Sequence, residues 1–540
     1  MNLKIIILLF ISLGTIQSQD FFSRIYTVPE DRTGFVNQWP NWLSAIFPTD
    51  SLIYAFGYSA DTTYKEIYGT AFYVFDWHGN LLDYYHIKDD DVYNYFYPEG
   101  IQTWDGITFY TGFNLRNKQE SILKFNRITR EQKVFEIKNL LYNNGAILDN
   151  NLSADPRGYL ITASRVETGI PNQWRKVQVT KIDTSGKIIW HTIIGKEPIT
   201  TFTNYPNSTY VDNDGFIYVG VGYTDDFGLG SPSTYESIFY KLDSDGNLVN
   251  SINSKPSQGF FEIYDIAQNE KGWFYLSSNY NYNESPTFPT GNRGYGIVQI
   301  LDSTLKFKGF IKLNIDPLYR GPSWNASFDK IIRTNNKDGF LLAGSLPFRD
   351  TIFEYIDSTQ SYDTIYWSHH ILNLVKINDT SKIEWKRTYR IRNGKDDGYI
   401  YDIKSCPTGG YILAASSYLD DAYEKYKEPY WMPWLIKVDD DGCFIPGCGL
   451  VNNIDFQSQI DNEIIFYPNP ASKYIVILNS SEINVIYSIY TLEGKFVDKF
   501  SSQQQGEQII IPLSNYLTGA YFIKASFQNG HIVSKIFFKE

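Results

Sequence analysis

Apolar and polar residues alternate along most of the chain in runs of about five to nine residues, too short for helices and suited to half-buried strands. One unit recurs. An aromatic or β-branched run ends apolar–Lys–apolar–Asp/Asn and enters a turn, as in FYKLDSDGN (Phe239–Asn247), NLVKINDTS (Asn373–Ser381) and WLIKVDDDG (Trp434–Gly442). Looser copies are FYVFDWHGN (Phe72–Asn80), ILKFNRIT (Ile122–Thr129), VTKIDTSGK (Val179–Lys187) and VQILDSTLK (Val298–Lys306). The residues closing these runs are Asp76, Asn126, Asp183, Asp243, Asp302, Asn378 and Asp439, spaced 50 to 76 residues apart. An earlier strand pair accompanies most units, as in VDNDGFIYVGVGY (Val211–Tyr223) and PTGGYILAASS (Pro407–Ser417). Its Asp/Asn-Gly or Gly-Gly pairs supply the left-handed positions that two-residue hairpins need. Each unit thus reads strand, tight turn, strand, long loop, strand, tight turn, strand. Four antiparallel strands repeated seven times predict a seven-bladed β-propeller. An array of sandwiches would show a boundary about every 100 residues, and none is visible before residue 443.

The two ends of the repeat complement each other. The seventh unit stops after its third strand, Trp434–Val438, while FFSRIYTV (Phe21–Val28) is a spare strand ahead of a first unit that opens at Asn41–Phe47. An unpaired edge is a liability, so the N-terminal strand is expected to complete the last blade. Residues 443–463 lack alternation and read as a linker. Residues 464–540 return to short alternating strands, with turns at Glu493-Gly494, Thr518-Gly519 and Asn529-Gly530, and predict a small Ig-like β-sandwich. The chain is therefore read as all-β: a signal peptide at 1–19, a propeller at 20–442, a linker at 443–463 and a sandwich at 464–540.

Composition supports this reading. Aromatic residues make up 17% of the chain and suit a pleated, half-buried surface. A net charge of −12 argues against nucleic acid as a partner and suits a soluble monomer. Near the N-terminus, Lys4 precedes the apolar run Ile5–Leu13, followed by Gly14, Thr15 and Ser18. That run falls well short of the ~20 residues needed to cross a bilayer and reads as a secretory signal cleaved near Ser18–Gln19. No cysteine follows it, so lipoprotein processing is not expected. No later charge-free run is long enough to span a membrane, so no transmembrane span is expected in the mature chain.

The C-terminal segment opens with Tyr467-Pro468-Asn469-Pro470-Ala471 and continues with Tyr490 and the turn Gly494-Lys495. These resemble the opening and the central strand and turn of the type A sorting domain of type IX secretion substrates of the Bacteroidetes. Leu513-Ser514 with Leu517, Gly519 and Tyr521 resembles a third element, with one extra residue intervening. The ending Lys535-Ile536-Phe537-Phe538-Lys539 also fits. The resemblance implies the Sec and type IX machineries as partners, and a secreted or outer-membrane-attached protein.

Chemistry is sparse. His369 and His370 are adjacent in a predicted strand, where successive side chains point to opposite faces, so they should not share a metal. Asp212-Asn213-Asp214-Gly215 and Asp439-Asp440-Asp441-Gly442 look like pieces of calcium loops, but the twelfth position counted from Asp212 is Tyr223, not Glu, so they read as turns. There is no G-x-S-x-G. With 60 acidic residues, a carboxylate pair for glycoside cleavage cannot be read out by position. No catalytic, cofactor or metal residue is assigned. Asp–Ser/Thr–apolar or –Thr triplets at Asp50, Asp61, Asp302, Asp350, Asp357 and Asp363 resemble O-glycosylation acceptors of exported Bacteroidetes proteins. Cys443 and Cys448 are expected to form a small disulfide loop, with Cys406 as a competitor. The long loops near 165–176, 223–236, 279–294, 346–368 and 418–433 should share one face and carry function. Trp174, Tyr223, Tyr280, Tyr282, Trp367, Tyr426 and Trp431 are the candidate aromatics there. The expected function is binding of a glycan, polymer or protein. The alternatives are a secreted propeller enzyme acting on polysaccharide or peptide, and a purely structural surface protein.

Overall fold

The computed structural model describes residues 21–540 apart from 27–41, 61–67, 88–91, 94–99, 103–105, 115–118, 139–146, 168–175, 196–201, 226–235, 254–259, 283–292, 314–326, 357–360, 392–396, 420–429, 445–464, 479–484, 493, 503–506 and 528–531. Among these residues every regular element beyond turns is a β-strand. Between Phe22 and Val438 the described strands make seven antiparallel meanders. The first runs Trp42–Pro48, Ile53–Ala60, Tyr68–Phe75, Leu81–Ile87. In the second, Val92–Tyr93 and Gly100–Gln102 both pair with Ile107–Asn114, which is followed by Gln119–Asn126 and Gln132–Glu136. The third, fourth and fifth sheets, beginning at Ile147, Phe202 and Phe260, each have four strands in chain order. The sixth comprises Ser327–Arg333, Gly339–Ile356, Ser361–Asn378 and Ile383–Ile391. This is the arrangement of propeller blades.

The seventh sheet draws on both ends of the repeat. Asp397–Ser405, Tyr411–Leu419 and Tyr430–Val438 are joined by Phe22–Ile25, antiparallel to the last of them, with Phe22 opposite Lys437 and Ile25 opposite Trp434. Trp434 Nε1 donates to Ser23 Oγ at 2.7 Å. The edge that the sequence left open is closed by the spare strand, as expected.

The turns differ in one detail from the two-residue hairpins expected. Asp243 N–H donates to Asn247 C=O across a three-residue loop, Gly246 N–H donates to Asp243 C=O, and Gly246 has φ +86°. That is a turn followed by a left-handed residue and a one-residue bulge. The Asp243 carboxylate accepts the N–H groups of Asp245 and Asn247 at 2.9 and 2.8 Å. The same clasp recurs at Asp76, Asp183, Asp212, Asp302, Asn378 and Asp439. The recurring acid or amide at the strand end is thus a turn cap.

These turns also join neighbouring sheets. Trp190, on the fourth strand of the third sheet, covers Gly246 of the fourth: its Nε1 donates to Ser244 C=O at 3.0 Å, and Thr192 Oγ donates to Gly246 C=O at 2.6 Å. A Cβ at Gly246 would stand 2.7 Å from the indole. Phe135 covers Gly186 and Trp385 covers Gly442 in the same way. Phe22 does so for Gly79, while Tyr26 Oη donates to Gly79 C=O at 2.6 Å, so the seventh sheet grips the first as others grip their successors. Between sheets the core is aromatic, for example Phe56, Phe72, Tyr110 and Phe125.

The expected long loop at 346–368 is instead a β-ribbon, in which Gly339–Ile356 and Ser361–Asn378 stay in register out to Ile356 opposite Ser361. Its Thr/Ile/Tyr-rich alternation favours strand over loop.

The C-terminal segment has two sheets. Ile465–Tyr467, Tyr474–Leu478 and Glu507–Pro512 form one. Phe496–Ser502, Val485–Thr491, Gly519–Ser526 and Ile532–Lys539 form the other, in that order. Ile475, Ile477, Tyr487, Ile489, Ile509, Ile523 and Phe537 are buried together. The module is not tethered only by a linker. Glu507–Pro512 pairs in parallel with the fourth strand of the sixth sheet, Thr388 opposite Glu507 and Ile391 opposite Ile510. Gln508 bridges the seam: it accepts Phe444 N–H and donates to Gly442 C=O, both at 3.2 Å. Cys443 and Phe444, read from sequence as linker, are buried; Phe444 shares a core with Tyr389, Trp434, Val476 and Ile510.

The glycine clasp makes a stability prediction. Gly494 (φ +82°) faces open space, so Gly494→Ala should cost only the left-handed penalty of about 1–2 kcal/mol. In Gly442→Ala the new methyl would also stand 2.8 Å from the Trp385 ring, and denaturant unfolding should show a clearly larger loss.

Two equivalent turn acids should respond oppositely to pH. Burial, with negative Asp441 nearby, pushes the Asp439 carboxyl up to about 6 from an ordinary 3.8, despite two N–H donors. Its ionisation therefore penalises the fold; the penalty is absent below about pH 4 and complete above about pH 6. Asp439→Asn, which keeps the acceptor oxygen, should raise the melting temperature by a few degrees at pH 7.5 and leave it unchanged at pH 4. The Thr304 hydroxyl and nearby N–H groups hold Asp302 at about 2, so its stabilisation is complete above about pH 4 and lost as pH falls towards 2. Asp302→Asn should lower the melting temperature at pH 7.5.

Candidate functional site

The first strand of each sheet has one bonded neighbour, so alternate N–H groups face away from its own sheet. Acids on the adjacent first strand take some of them. Asp402 Oδ2 accepts Ile46 N–H at 2.9 Å, joining the seventh sheet to the first, and Asp265 Oδ2 accepts Ile331 N–H at 2.9 Å, joining the fifth to the sixth. Both acids follow a break in strand register, after Ile400 and Ile263 respectively, and comparable breaks fall after Leu43 and Pro206. A bulge inserts one residue and turns its side chain out of the regular alternation.

At one such bulge stands Tyr401. Its ring stacks on Trp42, the first residue of the first sheet, with centroids 5.9 Å apart and planes 17° from parallel. Two residues earlier on the same strand, Tyr399 Oη hydrogen-bonds His370 Nδ1 at 2.7 Å, and the two rings lie 4.7 Å apart. All four side chains are half-buried. They come from the sixth, seventh and first sheets. Trp42 and Tyr399 lie near where their strands begin, which by the antiparallel order is the face of the second-to-third-strand connections. The opposite face carries the tight turns. A stacked indole and phenol beside a hydroxyl–imidazole pair offers an aromatic platform with polar groups at its margin, which suits a sugar ring or an extended polymer. Among the described residues no group of His, Cys, Asp and Glu is placed to hold a metal ion. The acidic turns at Asp212 and Asp439 spend their carboxylates on backbone N–H groups.

The aromatics singled out from sequence fare differently. Tyr223 is corrected: it lies on the strand Ile217–Asp225, is 1% exposed, bonds the Tyr240 hydroxyl, and belongs to the core between the third and fourth sheets. It alternates inward because the strand runs two residues beyond the tract taken as its end. Tyr280 and Tyr282 lie in Phe274–Tyr282, Trp367 in Ser361–Asn378 and Trp431 in Tyr430–Val438. They are strand positions rather than loop positions. Trp174 and Tyr426 fall outside the described residues. The sequence reading missed Trp42, Tyr399 and Tyr401; the only hint was a Tyr-x-Tyr pair in a first strand. Of the cysteines, Cys443 is disulfide-bonded, whereas Cys406 is a free thiol buried against the first and seventh sheets. Cys448 falls outside the described residues. At Asp302, one of the triplets read as glycosylation acceptors, the carboxylate accepts the Thr304 hydroxyl at 2.7 Å as part of the turn cap.

Residues 465–539 match the family described as "secretion system C-terminal sorting domain". The C-terminal module is thus a type IX secretion sorting domain. The chain carrying it is a secreted or cell-surface-attached protein with a propeller-type body. No curated protein sequence matches the chain. Solved structures similar to it include an ulvan lyase described as a new family of polysaccharide lyase, 9% identical, covering 71% of this chain and 95% of the lyase with a TM-score of 0.45. The β-propeller domain of the trilobed protease from Pyrococcus furiosus is 12% identical, with coverage of 72% and 92% and a TM-score of 0.38. An α-L-arabinanase from Penicillium chrysogenum is 10% identical, with coverage of 57% and 92% and a TM-score of 0.38.

Burial pushes the Cys406 thiol up to about 12, so almost no thiolate is present at neutral pH. Native protein treated with iodoacetamide at pH 8 should remain unlabelled at Cys406, and denatured protein should take up one label there, as read by peptide mass.

Proposed function

We propose that this exported protein is a carbohydrate-binding surface module, a seven-bladed propeller carried by an Ig-like sorting sandwich, with its ligand seated over the Trp42–Tyr401 pair. The observation that carries the reading is that half-buried stack beside the Tyr399–His370 hydrogen bond, on the face opposite the tight turns. Flat rings of low conformational freedom bind pyranose faces, and the hydroxyl and imidazole offer donors and acceptors to sugar hydroxyls. The blade count rests on the seven meanders and on the grip of the seventh on the first. Residues 1–19 serve as the Sec signal, type IX export follows, and the mature protein acts as a monomer. The disulfide joins Cys443 to Cys448, since the chain has three cysteines and Cys406 is free.

A second reading, an enzyme acting on polysaccharide, is favoured by the same Tyr399–His370 pair, because a hydrogen-bonded phenol and imidazole can pass a proton. The two readings separate on product: a binder leaves polysaccharide chain length unchanged.

Calorimetric titration against neutral and anionic polysaccharides should find a ligand. Trp42→Ala and Tyr401→Ala should each weaken it about tenfold or more, ~1.4 kcal/mol. Asp245→Ala, in a tight turn, should not. Binding that survives both aromatic substitutions and is lost on Asp245→Ala would overturn the site. For the cysteines, non-reducing peptide mapping should recover one bridged peptide containing Cys443 and Cys448; a Cys406–Cys443 peptide would refute the pairing.

A further inference from the structure

The sorting module has two sheets with unlike surroundings. The sheet containing Glu507–Pro512 is joined by its edge to the sixth propeller sheet. The four-stranded sheet lies on the far side of the shared core, and its outer face carries a cross-strand apolar row. Phe496 is opposite Tyr490, Tyr490 opposite Phe522, and Phe522 opposite Ile536. Tyr490 stacks on Phe522 at 5.2 Å between centroids and meets the edge of Phe496 at 5.8 Å. Phe496 is 53% exposed and Ile536 50%, and Phe538, on the same side of the same edge strand, is 51% exposed. One step along the strands lies a polar row, Lys499, Ser488, Lys524 and Ser534.

Single exposed apolar residues are ordinary, but a continuous row across four strands is not what a sheet facing only water presents. In an antiparallel sheet with one wet face, the outward positions should be polar. Here every strand contributes an apolar side chain at the same level. Among the described residues, strand pairing with the propeller uses the other sheet. The face is apolar at its centre and positively charged beside it, on a chain whose net charge is −12. That combination matches a protein partner with an apolar groove and acidic side chains along one rim.

We propose that this outer face, centred on Phe496, Tyr490, Phe522 and Ile536 and flanked by Lys499 and Lys524, is where the sorting module docks on a protein component of the type IX machinery. The inference rests on the sorting-domain assignment and adds the face and the chemistry of recognition. One sheet holds the cargo and the other is read by the exporter.

The full-length chain is tested in cells with and without an active type IX machinery. Extracellular and periplasmic fractions are quantified by immunoblot, and folding is followed by protease resistance. In competent cells, Phe522→Lys should lower the extracellular fraction at least tenfold and leave protease-resistant protein in the periplasm. Because Phe522→Lys could disturb the module itself, the charge-reversal pair Lys499→Glu and Lys524→Glu provides the second arm, and it too should lower export severalfold. If both variants fold and are exported like wild type, while wild type is retained in cells lacking the machinery, the face is wrong and the sorting assignment stands. If wild type reaches the medium without the machinery, the sorting assignment itself fails. If Phe522→Lys unfolds the module, normal export of the charge-reversal pair overturns the proposal.

Discussion

At four junctions of this protein's body the same contact recurs: an aromatic side chain of one sheet closes over the turn glycine of the next. The glycine is required twice over. Its left-handed backbone completes the three-residue loop, and its missing side chain makes room for Trp190, Phe135, Trp385 or Phe22. The polar cap at the start of the same turn, Asp243 in the fourth sheet, fixes the loop so that its carbonyls face the covering residue. One short segment thus satisfies its own backbone and supplies the joint to its neighbour. Because the seventh sheet offers Phe22 and Tyr26 to Gly79, the first and last sheets are held by the same chemistry as the junctions at Gly186, Gly246 and Gly442.

Much of this was legible in the sequence, for a physical reason. The turn cap is local: an Asp or Asn at the strand end and a glycine three residues later are read directly, and they recur often enough to set the period. The inward alternation of runs such as Ile217–Asp225 is equally local. Closure could also be inferred, since a third strand without a fourth at one end and a spare strand at the other have one economical solution. The loop geometry was read one residue short, because Asp-Gly pairs fit both two-residue turns and the bulged form.

What could not be read depends on non-local geometry. Trp42 and Tyr401 are hundreds of positions apart, and the bulge that brings Tyr401 out of alternation leaves no clear mark in sequence. Tyr223 looked like a loop aromatic because a strand end is ill-defined when Tyr, Thr and Gly follow one another. The parallel pairing of Thr388–Ile391 with Glu507–Ile510 lay hidden for the same reason: strand edges carry no label for their partners. Phe444 was assigned to a linker on the Cys, Pro and Gly around it, yet it is packed in the core where the module meets the propeller.

That parallel pairing also makes the module's footing depend on the propeller. Glu507–Pro512 gains its second bonded neighbour only when Ile383–Ile391 already sits in the sixth sheet, and Gln508 finds its partners only when the turn ending at Gly442 has formed. A chain whose sixth or seventh sheet is unformed therefore carries its sorting module with a bare strand edge and with Gln508 lacking those two partners. The footing of the address is thus made of hydrogen bonds that the cargo itself supplies.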